Sequence, residues 1–116
     1  MKGMSSWDRA KAQSDYESIA IPRKVMHSEA FRHLTGSELR VLMLLLRAYT
    51  GSNNGSLGAT KTAMKCQGGM DDKTLAKALH GLAERELIVK TGKAFCSHTG
   101  TPCNLYALTW LSIDDQ

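Results

Sequence analysis

The chain is poor in proline, with two residues in 116, and its ten glycines have no regular spacing, which excludes collagen-like and low-complexity architectures. Its longest unbroken apolar run, Val41 to Leu46, is far shorter than the roughly 20 residues a bilayer-crossing helix needs, so no membrane span is expected. Nor does the sequence read as carrying an export signal. Cysteine is scarce and odd in number: Cys66, Cys96 and Cys103. Such a set argues against a disulfide framework and favours a reducing cytoplasm. Acidic residues are the rarer charge, eleven against fifteen Lys and Arg, and the net charge of +4 favours a polyanionic partner. Also missing are a phosphate-cradling glycine loop, a recognisable pair of catalytic carboxylates and a nucleophile motif, so neither enzyme activity nor a cofactor is expected.

What remains is 42% apolar and 22% charged, the make-up of one soluble domain. Three segments are expected: an arm at 1–20, helical or partly disordered, a domain at 21–111, and a short tail at 112–116. In the arm, Trp7, Tyr16 and Ile19 are the bulky apolar residues, and the arm is the expected dimer or partner element. Pro22 forces Ile21 into extended backbone. One or two helical turns follow, as Val25, Met26, Ala30, Phe31 and Leu34 recur at three- and four-residue steps.

Thr35-Gly36-Ser37-Glu38 has capping-box spacing, which predicts a helix starting there and running to Ala48 before Gly51. Leu39, Leu42, Met43 and Leu46 on it are expected in the core. Ser52 to Ser56 reads as a turn and Ser56 to Ala59 as a short extended piece. Two helical turns are predicted for Thr60 to Cys66, ended by Gln67-Gly68-Gly69. Asp71 or Asp72 then caps a longer helix reaching Glu86, with Leu75, Leu79 and Leu82 on one face. Leu87 to Val89 and Asn104 to Leu111 read as strands, and Lys90 to Cys103 as a long hairpin loop. On the closing strand Trp110 is expected in the core.

The runs LTGSELRVLMLLLRAYTGSNNGSLGAT, KTLAKALHGLAERELIVKTG and NLYALTWL, taken in this order, resemble a winged helix-turn-helix domain from about Ile21 to Leu111. The resemblance is to the small winged-helix proteins of phages, plasmids and other mobile elements, many of them replication-related. It implies an α+β fold with three core helices, a small antiparallel wing and an N-terminal helical arm. It also implies binding of double-stranded DNA as a homodimer, in transcription regulation or DNA replication. Where the pattern has a glycine after the second motif helix this chain has Glu86, so that helix is expected to end without a left-handed cap or to be shifted.

With Leu75 pointing inward and about 100° per residue, Lys73, Lys77, His80 and Glu84 form a stripe opposite the leucines. If this helix reads DNA, Lys73 and Lys77 meet phosphates or guanine edges, and Thr74 and His80 add polar contacts. Lys61 and Lys65, on the preceding helix, would hold the flanking backbone. Lys90, Lys93 and His98 would reach it from the wing. Over residues 53–103 seven cations (Lys61, Lys65, Lys73, Lys77, Arg85, Lys90, Lys93) minus four acids (Asp71, Asp72, Glu84, Glu86) give +3. That modest excess and the paired aspartates keep open a protein-docking role for the same surface, such as a phage or plasmid inhibitor of a host defence complex. Cys96, His98 and Cys103 put three soft ligands within eight residues but without zinc-site spacing, so no metal is expected and a zinc-dependent interaction role ranks last.

Overall fold

A computed structural model describes residues 19–95 and 102–114; the arm's first 18 residues, Cys96 and His98 lie outside this range. The capping box at Thr35 is formed: Thr35 Oγ1 accepts from the Glu38 amide at 3.1 Å, and the Glu38 carboxylate accepts from the Thr35 amide at 2.9 Å. It starts the helix Gly36–Ala48. Ahead of it stand two single-turn helices, α1 (Arg23–Met26) and α2 (Glu29–Arg32), which make Gly36–Ala48 helix α3. Between the two short helices Ser28 donates to the Val25 carbonyl and accepts from the Phe31 amide, ending one turn and capping the next.

Helix α3 is the centre of the core. Val41, Leu42, Leu44, Leu45 and Leu46 are buried, but Leu39 and Met43 are 39% and 44% exposed, which corrects their expected core placement. A helix apolar on nearly every side has more apolar surface than the neighbouring elements cover, and these two residues fall on the uncovered side. Asn53 closes the helix by donating to the Ala48 carbonyl and accepting from the Thr50 amide.

Asn54 is fully buried. Its Nδ2 lies 3.1, 3.3 and 3.0 Å from the carbonyls of Leu108, Leu111 and Ser112, and its Oδ1 accepts from the Leu108 amide at 2.7 Å. Its own backbone pairs with Asp114 through the amide to Oδ2 and through the carbonyl to the Asp114 amide. One side chain thus ties the turn after α3 to the end of the chain. The extended piece that follows shrinks to a single bridge, Leu57 with Tyr106.

The first motif helix is a 3₁₀ helix, Ala63–Gln67, and not two α-turns from Thr60. Thr60 caps it from ahead, accepting from the Ala63 amide at its hydroxyl. Helix α4 covers Asp72–Glu84 with Leu75, Ala78 and Leu82 buried. It ends two residues earlier than expected. Glu86 adopts φ 61°, its amide donates to the Ala83 carbonyl, and the Leu87 amide donates to the Leu82 carbonyl. These are the paired bonds of a Schellman cap with glutamate in the glycine position, so the left-handed cap expected to be missing is present.

Strands β1 (Ile88–Phe95) and β2 (Pro102–Leu108) form an antiparallel hairpin. Much of the expected Lys90–Cys103 loop is therefore strand, because backbone pairing across a hairpin needs no apolar side chains. The second strand stops at Leu108, and Trp110 packs beyond it against the core, its buried Nε1 without a hydrogen-bond partner among the described residues. The fold is α+β and has the helix, helix, hairpin order of a winged helix.

Candidate nucleic-acid interface

The orientation of α4 on α3 is set by a polar contact inside an otherwise apolar seam. Glu38 is buried, closes the capping box and lies 3.4 Å from Arg85 Nε. Opposite its carboxylate stands Gly81, where any Cβ would collide with Glu38 Oε2. Glycine is required there because the helices approach each other through a carboxylate.

The turn into α4 is held from α3 by Arg40. Its Nε and Nη2 donate to the Gln67 carbonyl at 3.0 and 2.7 Å, and Nη2 also donates to the Gly69 carbonyl at 2.5 Å. Gly68 and Gly69 turn with φ 92° and 81°. A Cβ on Gly68 would sit 3.0 Å from the guanidinium, so the turn is shaped to admit it. Sequence reasoning missed Arg40. The available signal was a glycine pair leaving carbonyls without partners, but nothing local links residue 40 to residues 67–69.

On the outer face of α4 Lys73, Lys77 and His80 are exposed. Neither lysine forms an ion pair among the described residues, whereas His80 Nε2 is 3.3 Å from Glu84 Oε1, with both side chains largely in solvent. Thr74 is only half-exposed and its hydroxyl donates to Asp71 Oδ1 at 2.5 Å. That hydrogen bond holds the Asp71 carboxyl below its ordinary value of 3.8, against an opposing desolvation and with lesser help from the amides of Thr74, Asp71 and Lys73. Asp71 sits at the N-cap position without making a side-chain cap bond, so its carboxylate serves Thr74 instead. A depressed carboxyl pKa stabilises the fold above the unfolded value, and the contribution is lost as pH falls through the folded one. Its full exposure keeps the effect small.

Lys65 is on the 3₁₀ helix and Lys61 just ahead of it, both exposed, so they do not share one α-helical turn. Lys90 and Lys93 lie on β1 itself. At odd separation they should face opposite ways, but the register shift between Lys90 and Gly92 inserts Thr91 as an extra residue. Lys90 pairs with Tyr106 and Lys93 with Asn104, which puts both lysines on one face of the hairpin. Asn104 also borders a groove of about 230 Å³ with Thr60, Lys61, Asp72 and Leu79, connecting that face to α4.

No family model and no curated protein matches this sequence. One similar solved chain belongs to a structure described as "Structure of Rep-DNA complex", with a TM-score of 0.43 and 14% identity over 99% of this chain and 87% of that one. At that score the likeness assigns neither fold nor function.

The wing carries a further finding. Cys103 is disulfide-bonded while Cys66 is an exposed free thiol, so a cysteine set that argues against a disulfide framework still includes a bridged residue. An odd count still allows one bridge and one thiol. In that bonded state Cys103 has no thiolate to offer a metal, and the described residues hold no group of three ligating side chains. No helix among the described residues is long and apolar enough to cross a membrane.

Proposed function

We propose that this protein is a non-catalytic double-stranded DNA-binding factor, a transcriptional regulator or replication-associated protein of a mobile element. Lys73, Lys77 and His80 on α4 enter the major groove and contact phosphates or base edges, with the Thr74 oxygen as a further acceptor. Lys61 and Lys65 hold the flanking backbone, and Lys90 and Lys93 reach it from the hairpin. The carrying observation is the unpaired, exposed Lys73–Lys77 row on a helix whose roll is fixed by Glu38, Gly81 and Arg85. A charge of only +3 over residues 53–103 favours two copies on one duplex, where the second contact gains from effective concentration. A cytoplasmic location rests on that role alone, because the bridged Cys103 removes the support the cysteines lent it.

The His80–Glu84 pair supports a second reading, a protein-docking module of the inhibitor kind, because it ties up the His80 imidazole and presents a carboxylate on the same face. Titration with random duplex DNA at two salt concentrations separates the two. The DNA reading expects a steep loss of affinity with salt and a slope lowered by about 1.8 in the Lys73→Ala, Lys77→Ala variant, at about 0.9 for each lost phosphate contact. Absence of binding at the lower salt would leave the docking reading.

A further inference from the structure

The 3₁₀ helix and α4 each pack on α3 but scarcely on each other. Helix α4 is seated by the buried Leu75, Ala78 and Leu82, whereas the 3₁₀ helix buries Met64 alone. A short 3₁₀ segment with one buried side chain has little of its own to fix its position. Its end is closed locally through amides, Gly68 donating to the Lys65 carbonyl and Gly69 to the Met64 carbonyl. The carbonyls of Gln67 and Gly69 are held instead by Arg40, which reaches from α3 across Gly68. Further along α3, Arg47 Nη1 lies 3.4 Å from the Gln67 side-chain oxygen. That contact is long and exposed, so the Arg40 fork is the stronger tie.

The two segments joined by this turn carry different lysines, Lys65 with Lys61 just ahead of it on one and Lys73 with Lys77 on the other. Their relative placement therefore depends on how α3 holds the turn. A planar guanidinium bonded to two carbonyls fixes the exit of the 3₁₀ helix and the approach to α4 together, which the single ammonium of a lysine cannot match.

We propose that Arg40 is a positioning residue for duplex binding: its fork makes the Lys61–Lys65 and Lys73–Lys77 pairs meet one phosphate backbone as a unit, without Arg40 touching the duplex. The inference rests on the DNA reading above. The test is affinity for a random duplex across a salt series in the parent, Arg40→Met and Arg40→Lys, each with and without Lys61→Ala, Lys65→Ala. Circular dichroism checks that each chain keeps its fold. In the parent the two lysine substitutions should lower the slope by about 1.8, at about 0.9 for each contact. Arg40→Met should weaken binding about tenfold or more, as joined contacts become separate ones. In that background the same lysine substitutions should lower the slope by less than about 0.9. Arg40→Lys keeps the charge but not the fork, and should still weaken binding at least about threefold, since only part of the hydrogen bonding can be remade. Parent-like binding in Arg40→Lys would overturn the positioning role, and this variant decides alone if Arg40→Met loses its fold. A full drop of about 1.8 on removing the lysines from Arg40→Met would also overturn it, because the two pairs would then be independent of the fork. Either result leaves the DNA reading standing, whereas a parent that binds no duplex at the lower salt would defeat that reading and this inference together.

Discussion

Glu86 holds a backbone conformation that side chains other than glycine adopt at a cost of about 1 kcal/mol or more, yet it completes the cap of α4. Replacing it with glycine relieves that strain and gives back part of the gain through a freer unfolded chain. Glu86→Gly should therefore stabilise by about 0.5–1 kcal/mol and raise Tm by roughly 3–5 °C. A fall in Tm by scanning calorimetry would mean that the glutamate side chain contributes something the cap geometry does not require. Asn54 is the opposite case, a polar residue that the fold cannot spare. Asn54→Ala strands the Leu108 amide and the carbonyls of Leu108, Leu111 and Ser112, and should destabilise by about 3 kcal/mol in urea unfolding. A loss below about 1 kcal/mol would show that water replaces the amide. Neither role was legible in the sequence. Asparagine in a turn is ordinary, its partners lie more than fifty residues away, and the glutamate stands where the pattern has glycine.

Among the elements, those with local signals were legible. The capping box of α3 and the leucine face of α4 are carried by residues three or four apart, and both helices start where they were expected. The 3₁₀ helix was not distinguishable from two α-turns, because five residues carry too few apolar positions to fix a period, and the Arg40 bonds to Gln67 and Gly69 that hold its end come from far along the chain. The hairpin's length was hidden by its polar, glycine-containing sequence. The packing of α4 on α3 rests on Gly81, and this gives a test with opposite signs in two backgrounds. In an isolated helix Gly81→Ala gains about 1 kcal/mol, but here the methyl group meets the Glu38 carboxylate, and a net loss of about 1–2 kcal/mol is expected. Once Glu38→Ala has removed the carboxylate, the same change should become neutral or stabilising. The double-mutant cycle reads the contact directly, and additive effects would show that Gly81 is not placed by Glu38.

Across the whole molecule, the cations read from the sequence divide between two surfaces whose relation only the fold supplies. Lys73 and Lys77 were legible as one stripe from the helical period alone. Lys90 and Lys93 were not legible as a pair, since without the extra residue at Thr91 they would face opposite ways. The bulge turns both to the face bearing Asn104, which borders the groove shared with Lys61 and Leu79. If α4 and the hairpin grip one duplex together, the two lysine pairs release counterions in a single binding event and their salt slopes add. Lys90→Ala with Lys93→Ala should lower the slope by about 1.8, and combining all four substitutions should lower it by about 3.6. The measurement is affinity for a fixed duplex across a salt series in the parent, both double variants and the quadruple variant, with circular dichroism confirming that each keeps its fold. A hairpin variant with the parent's slope would leave α4 binding alone. A combined effect no larger than either pair would mean that the two surfaces compete for the duplex, and the shared face made by the bulge would then have no part in binding.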